Sequence, residues 1–305
     1  MSGWKKTGAY LLLLQSNSGK QWRVIFKNSV YQADQIPALL ELPIRPGPPE
    51  FLVYHHLNAG LEKYLPAVYL CEEVVPGTHY RYLLEDLSDR YQKSWKPEYV
   101  LRAARNLPLL HQRMGEWARG IDQERLIRYD HQFRNNLLQY IEKSLTAYFH
   151  RTSEDLVSKV LDVWEDISEL YQRREFLELE ANCPIHGDLN LSNIMFHKKK
   201  PEQLKLLDWE WAGLGIAHAD LASLLKGATP EVENRALSAF SYDSGKLSPG
   251  EHRRIYLWCK LERGFLDAAF LALQCMDSSV ETKFNMAKTI DDALRRGLRA
   301  YRELV

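Results

Sequence analysis

His186, Asp188 and Asn193 stand in the run Pro184-Ile-His-Gly-Asp-Leu-Asn-Leu-Ser-Asn193, and Asp208 and Glu210 follow in Leu206-Leu-Asp-Trp-Glu210. A carboxylate five residues ahead of an asparagine on a loop, with a second carboxylate at the end of an apolar strand, makes the set that phosphoryl transfer from ATP requires. That chemistry is mostly positioning and charge neutralisation: one carboxylate orients the attacking hydroxyl, and oxygen ligands hold Mg²⁺ against the phosphates. Asp188 takes the first task as the catalytic residue, and Asn193 with Asp208 the second as metal ligands. His186 is open to two readings, support of the loop or general base. A positioned carboxylate alone can orient a hydroxyl in a loose transition state, which favours support. Glu210 points to the same side as Asp208 if the strand continues, in a metal-proximal or a structural role. Asp220 opens the apolar run Leu221-Ala-Ser-Leu-Leu225, where it would cap a helix and brace the catalytic loop.

The series His-Gly-Asp-Leu-x-x-x-Asn-Ile, then Leu-Asp-Trp-Glu-x-Ala-Gly-x-Gly-x-x-x-x-Asp-Leu-Ala, runs over roughly forty residues and ends on Asp220-Leu-Ala222. It resembles the aminoglycoside phosphotransferase and choline kinase-like families of small-molecule kinases. The resemblance implies an α+β, two-lobed protein-kinase-like fold. Its small N-terminal lobe, residues 1–87, would be an antiparallel β-sheet with one helix that binds the nucleotide. Its larger, mainly helical C-terminal lobe, residues 88–305, would hold the catalytic loop and the acceptor pocket. In the resembling families the histidine at position 186 supports the catalytic loop.

These residues need elements to hold them, and the chain supplies candidates in order. Ala9–Gln15 and Lys20–Phe26 are β-rich runs around Ser16-Asn-Ser-Gly19, which predicts a hairpin. Lys5-Lys-Thr-Gly8 stands where the resembling families carry a nucleotide-covering loop, though an exposed N-terminal turn fits it equally. Lys27 closes Trp22-Arg-Val-Ile-Phe-Lys and looks like the kinase lysine that binds the α- and β-phosphates. After the breaker-rich Pro43–Pro49 stretch, Glu50 opens Phe51–Leu57, an apolar segment of helical length. In a kinase-like lobe that glutamate pairs with the lysine; the alternative is that it merely complements the helix dipole. Leu65–Val75 and His79–Leu84 predict a second hairpin around Pro76-Gly77. Leu83-Leu-Glu-Asp-Leu-Ser88 resembles the hinge of these kinases, with Glu85 and Leu87 as cofactor-binding positions through their main chain.

Beyond Lys96 the spacing turns helical, with Pro97-Glu98 as a first turn and Pro108 expected to kink or break the helix. Two amphipathic helices are predicted over His131–Phe149 and Glu154–Tyr171, and three more over Pro230–Phe240, Pro249–Cys275 and Val280–Leu304. Trp258, Phe265 and Phe270 read as core. His111 and the pair His55-His56 lack metal-ligand company and read as ordinary polar residues on packed helices. Lys198-Lys-Lys200 is compatible with a phosphate patch, but at a turn it reads better as solvated charge.

Forty basic and forty acidic residues give a formal net charge of zero, so no overall field favours nucleic acid or an anionic membrane. Four scattered cysteines, with no C-x-x-C pair, argue against a zinc site or a disulfide framework. The apolar run Ala9–Leu14 is too short for a membrane span. These features predict a cytoplasmic protein, and the motifs with the resemblance they carry imply a monomer or homodimer that uses ATP and Mg²⁺ to phosphorylate a hydroxyl of a small molecule. A protein kinase is disfavoured, because Asp208 is followed by Trp-Glu rather than Phe-Gly and no Ala-Pro-Glu follows. A nucleotide-binding pseudokinase is the alternative from another class. An aminoglycoside kinase proper is a further alternative, but Leu221–Val305 carries thirteen basic and eleven acidic residues, which disfavours a polycationic acceptor.

Overall fold

The computed structural model describes residues 5–31, 49–56, 60–152, 155–173, 182–240, 247–276 and 280–305. Their contacts form two compact units. The first takes the described residues up to Ile127 together with those of Cys183–Gly245; the second takes those of Arg128–Asn182 and Lys246–Val305.

In the first unit, Lys5–Gln15 (β1) and Gln21–Tyr31 (β2) form an antiparallel pair in the register Ala9↔Lys27. The turn between them closes with Gly19 N–H on the Ser16 carbonyl at 2.9 Å, and Gly19 takes the φ of +82° that such a turn needs. Helix α1, Pro49–His55, follows, then β3, Val68–Val75, and β4, His79–Glu85. The sheet order is β1-β2-β4-β3. Alternation along β4 buries Tyr80, Tyr82 and Leu84. Two of these rings meet the buried face of α1, Tyr80 at 5.0 Å from Phe51 and Tyr82 at 5.5 Å from Tyr54. Burying each such side chain stabilises by about 1.5–3 kcal/mol, so this packing fixes α1 on the sheet.

Three expectations for this region change. The strand bearing Lys27 runs on to Tyr31, so Lys27 sits within the ladder and not at its end. Lys5–Gly8 is not a loop: its backbone pairs with β2, Thr7 opposite Ser29 and Gly8 opposite Asn28, so it forms part of an edge strand of the sheet. The hairpin strand expected from Leu65 begins at Val68, after Pro66.

The first unit continues with β5, Tyr91–Gln92, and α2, Pro97–Ala118. Pro108 does not break α2, although it removes one ladder hydrogen bond. Burial of Leu107, Leu110, His111 and Met114 on either side of it holds the helix through. Ile127–Arg128 (β6) lies where the chain passes into the second unit. After the return come β7, Cys183–Ile185; a 3-10 turn, Leu191–Asn193; β8, Ile194–His197; β9, Leu204–Leu206; and β10, Gly213–Gly215. β8 pairs with β9 and β5, and β10 with β7, all antiparallel.

In the second unit, α3 is His131–Thr152, and the single helix expected over Glu154–Tyr171 is two, α4, Asp155–Leu161, and α5, Trp164–Gln172. The buried series Val157, Val160, Trp164, Ile167 and Leu170 keeps helical spacing across the join, so period alone hides the break. In the first unit, α6, Ala217–Leu224, and α7, Pro230–Ala239, follow β10; in the second, α8, Pro249–Met276, and α9, Val280–Leu304, close the chain. α8 and α9 run antiparallel, with Arg253 on Glu303 at 2.7 Å and Arg296 on Asp267 at 3.3 Å. Between those contacts Gly264 lies so close to Gly297 that a Cβ there would stand 2.7 Å from the Gly297 nitrogen. Trp258 and Phe265 are core as expected, while Phe270 is half-buried. Among the described residues no helix is long and apolar enough to cross a membrane.

Candidate active site

Lys27 and Glu50 meet as the sequence suggested. The Lys27 ammonium donates to both oxygens of Glu50 at 2.7 Å. Glu50 is fully buried in the first turn of α1, so it serves as an ion-pair partner and not only as a dipole complement. The same ammonium reaches Asp208 Oδ1 at 3.1 Å and Glu210 Oε1 at 3.3 Å. Burial acts to lower the Lys27 pKa, but the charges of Glu50 and Asp208 and their hydrogen bonds outweigh it and hold the pKa above its ordinary value.

Asp208 adopts φ +63°, a left-handed conformation that asparagine and aspartate tolerate better than most residues. β9 has already ended at Leu206, so the expected strand continuation does not occur. A turn closed by Ala212 N–H on the Trp209 carbonyl at 3.1 Å brings Glu210 to the cluster instead. One oxygen each from Glu50, Asp208 and Glu210 lies within 4.8 Å of the others. Asn193 donates through Nδ2 to the Asp188 carbonyl at 2.9 Å and to Asp188 Oδ2 at 3.2 Å, which leaves Oδ1 as its acceptor atom.

His186 and Asp220 hold this loop from beneath. The fully buried Asp220 accepts the main-chain N–H of His186 at 2.8 Å and of Gly187 at 2.9 Å, and His111 Nε2 donates to it at 2.9 Å. Burial acts to raise the Asp220 pKa, yet the His111 and His186 contacts more than offset it and leave the carboxyl below its ordinary range. Asp220 does not cap α6 as expected: the helix begins at Ala217 with Ile216 at its cap position, so the carboxylate is free to turn to the loop. The His186 ring donates from Nε2 to the Leu207 carbonyl at 3.0 Å and accepts Asp188 N–H on Nδ1 at 3.4 Å. Both ring nitrogens are thus engaged with main chain, which is the supporting arrangement and not that of a base facing substrate. Trp209 packs on the same ring, with centroids 4.5 Å apart.

Glu85 ends β4 and Leu87 lies two residues beyond it; among the described residues, neither bonds to the groups above. The Glu85 carboxylate accepts Ala67 N–H at 3.1 Å and pairs with Arg90. The Leu87 carbonyl accepts Arg90 N–H at 3.1 Å and Tyr91 N–H at 2.8 Å, whereas the Leu87 N–H has no acceptor among the described residues. Lys198 is not part of a phosphate patch; its ammonium bonds to the Ser88 and Asp89 carbonyls at 2.7 and 3.1 Å, and Lys199 and Lys200 are exposed. Sequence reasoning missed the role of His111 and a clamp on the Asp86–Asp89 segment by Arg23, which pairs with Asp86 at 2.9 Å and Asp89 at 3.3 Å.

Residues 43–258 match the family model described as the phosphotransferase enzyme family. The chain belongs to that family. Solved structures with the same kinase-like fold include an ethanolamine kinase of Plasmodium vivax, 15% identical, covering 99% of this chain and 85% of that one with a TM-score of 0.59. A choline kinase of Streptococcus pneumoniae is 14% identical over 93% of this chain and 89% of its own, with a TM-score of 0.54. An aminoglycoside 2′-phosphotransferase IIIa in complex with GDP is 11% identical over 93% and 92%, with a TM-score of 0.58. Among curated relatives, the human acyl-CoA dehydrogenase family member 11 is 32% identical over 108 residues, 32% of this chain. The mouse family member 10 is 50% identical over 38 residues, 12% of this chain. The matches span only 13% and 4% of those two proteins. A phosphotransferase family and a kinase-like fold, both expected from the resemblance, are thereby met.

Proposed function

We propose that this phosphotransferase moves the γ-phosphoryl group of ATP to a hydroxyl of a small molecule, with Asp188 as the catalytic residue. The observation that carries the reading is the convergence of Glu50, Asp208 and Glu210 on the Lys27 ammonium, beside a loop in which Asn193 is bonded to Asp188. Lys27 is suited to the α- and β-phosphates, with Glu50 fixing its direction. Asp208, about half exposed at 48%, and the Asn193 Oδ1 would hold Mg²⁺, with Glu210 beside them; all are hard oxygen donors of the kind the ion takes. When bound, Mg²⁺ neutralises charge on the phosphates. Asp188 would orient the acceptor hydroxyl and take its proton as the bond to the γ-phosphorus forms and the bond to the β–γ bridging oxygen breaks, with ADP as the leaving group. His186 and Asp220 keep that carboxylate in place. The N–H of Leu87, which has no acceptor among the described residues, and the carbonyl of Glu85, whose own N–H is given to Ala67, would suit the adenine edge; on this reading Asp86–Asp89 is the hinge between a nucleotide lobe ending near residue 87 and the lobe that follows.

The acceptor is neutral or carries at most a single charge. Asp267, one of the acids that a polycation would need, is already paired with Arg263 at 3.0 Å and Arg296 at 3.3 Å, and Asp291 with Arg295 at 3.5 Å. Of the other two candidates, Asp277 lies outside the described residues and Asp292 is exposed on α9. Four free cysteines accord with a cytoplasmic protein. ATP consumption by the purified chain over a panel of hydroxylated metabolites tests the reading: turnover that depends on one of them is expected, and Mg²⁺-dependent nucleotide binding without any turnover would favour a pseudokinase.

A further inference from the structure

The catalytic segments are tied to the region of α1 at two places. One is the Lys27 cluster. The other is Lys205, which neither the motif nor the proposed chemistry uses. β9 carries Lys205 three residues ahead of Asp208, opposite Met195 of β8. Its ammonium donates to the Leu65 carbonyl at 2.6 Å and to the Glu62 carbonyl at 3.3 Å. These two carbonyls belong to the 3-10 turn Glu62–Tyr64, and to the residue that ends it, downstream of α1. The Glu62 carbonyl also accepts Leu65 N–H at 3.1 Å, whereas Lys205 is the one donor to the Leu65 carbonyl among the described residues. Leu65 is buried, and Pro66 after it favours the extended backbone seen there, φ −109° and ψ 151°, so the carbonyl keeps a fixed direction. Charge-assisted hydrogen bonds of this kind are stronger than neutral ones.

The clamped turn leads through Pro66 and Ala67 into β3, in the same sheet as Lys27. β3 in turn holds α1, the helix that carries Glu50: the Cys71 thiol donates to the Phe51 carbonyl at 3.9 Å. β9, for its part, leads through Leu207 to Asp208. Glu50 and Asp208 must meet at one ammonium, at 2.7 and 3.1 Å, and misplacement by an ångström is enough to degrade such a site. We propose that Lys205 is a positioning residue: by holding the Glu62 and Leu65 carbonyls to β9, it fixes α1, and with it Glu50, relative to Asp208. The inference rests on the reading of Asp208 as the metal-holding acid and adds to it a residue that touches neither nucleotide nor acceptor.

Lys205→Met keeps the aliphatic stem and removes the donor, and Lys205→Arg keeps a cation that can reach both carbonyls. In the full chain without ligand, Lys205→Met is expected to speed hydrogen exchange of the α1 amides about tenfold, as loss of one charge-assisted bond implies. The amides of α6 should be unchanged, and Lys205→Arg should restore α1. Calorimetry with MgADP should show affinity weakened several-fold in Lys205→Met and recovered in Lys205→Arg. Unchanged α1 exchange and MgADP affinity in folded Lys205→Met would overturn the proposal. So would a general loosening in which α1 and α6 quicken together and Lys205→Arg gives no rescue. If Lys205→Met does not fold, Lys205→Gln, with one neutral donor left, carries the same expectations at smaller size. A wild-type chain that binds no MgADP would count against the phosphotransferase reading itself, and α1 exchange then decides on the clamp alone.

Discussion

His186 donates from Nε2 to the carbonyl of Leu207 at 3.0 Å, tying the loop that bears Asp188 to the residue just before Asp208. The other ring nitrogen takes the Asp188 N–H, so one buried imidazole sets the spacing of the two carboxylates proposed for catalysis and metal binding. His186→Phe would fill the space and leave a buried carbonyl and an amide without partners, at a cost of about 1–3 kcal/mol. Turnover should fall at least tenfold, roughly the effect of a small displacement in a positioned site. Thermal unfolding and kcat, measured together, check this; full turnover in a destabilised variant would detach His186 from the site geometry.

Asp220 gives the pH dependence. Its folded-state pKa is depressed, so its contribution to stability is present above the ordinary carboxylate pKa of about 4 and is lost as pH falls through the folded value. Asp220→Asn sets an amide N–H against donors and should cost about 1.5–3 kcal/mol at neutral pH. Urea unfolding from neutral pH to below 4 should show the wild type losing its advantage over Asp220→Asn on acidification. A gap between the two that does not change with pH would mean the carboxylate is not the stabilising species.

Glu50→Gln leaves Lys27 with Asp208 and Glu210 as its remaining anions. The ammonium should then be drawn toward them and away from the phosphates, weakening MgATP binding by about tenfold or more, the range expected for a charge-assisted pair. Calorimetry measures it. In the wild type the raised pKa keeps Lys27 charged through neutral pH, and the pairing is lost only as pH rises through the folded value, above the ordinary lysine range near 10.4.

Asp208→Ala should abolish Mg²⁺-dependent nucleotide binding, and Asn193→Ala should weaken it less, because a neutral amide oxygen is the poorer ligand for a hard cation. Titration of ATP with and without Mg²⁺ separates the two. Metal-dependent affinity that survives in Asp208→Ala would move the metal assignment to Glu210.

What the sequence made legible were the groups whose chemistry depends on local spacing. Asp188, Asn193 and Asp208 sit within one motif, and Lys27 with Glu50 could be placed from a strand and a helix start. What it hid depends on pairing between distant parts of the chain. His111 reads as an unremarkable helix residue until the fold brings it to Asp220, 109 positions away, and Lys205 meets Leu65 across 140. Lys5–Gly8 reads as a loop because nothing local marks an edge strand; only its pairing with β2 does. Glu210 reached the expected place by an unexpected route, a turn after a left-handed Asp208 rather than a continued strand.

The acceptor prediction follows from the pairing of Asp267 and Asp291 with arginines. Kanamycin-type polycations should show no saturable phosphorylation at micromolar concentration, since each ammonium taken from water needs a free acid beside it. Resistance to such drugs in a sensitive cell expressing the chain would contradict this.

The most direct test of the account is transfer of the γ-phosphoryl group from MgATP to an acceptor hydroxyl, compared between the wild type and Asp188→Asn at matched nucleotide saturation. The wild type should phosphorylate at least one small hydroxylated compound, and Asp188→Asn should bind MgATP nearly as well yet turn over on the order of a hundredfold more slowly. A folded Asp188→Asn protein that transfers phosphate at the wild-type rate would contradict it.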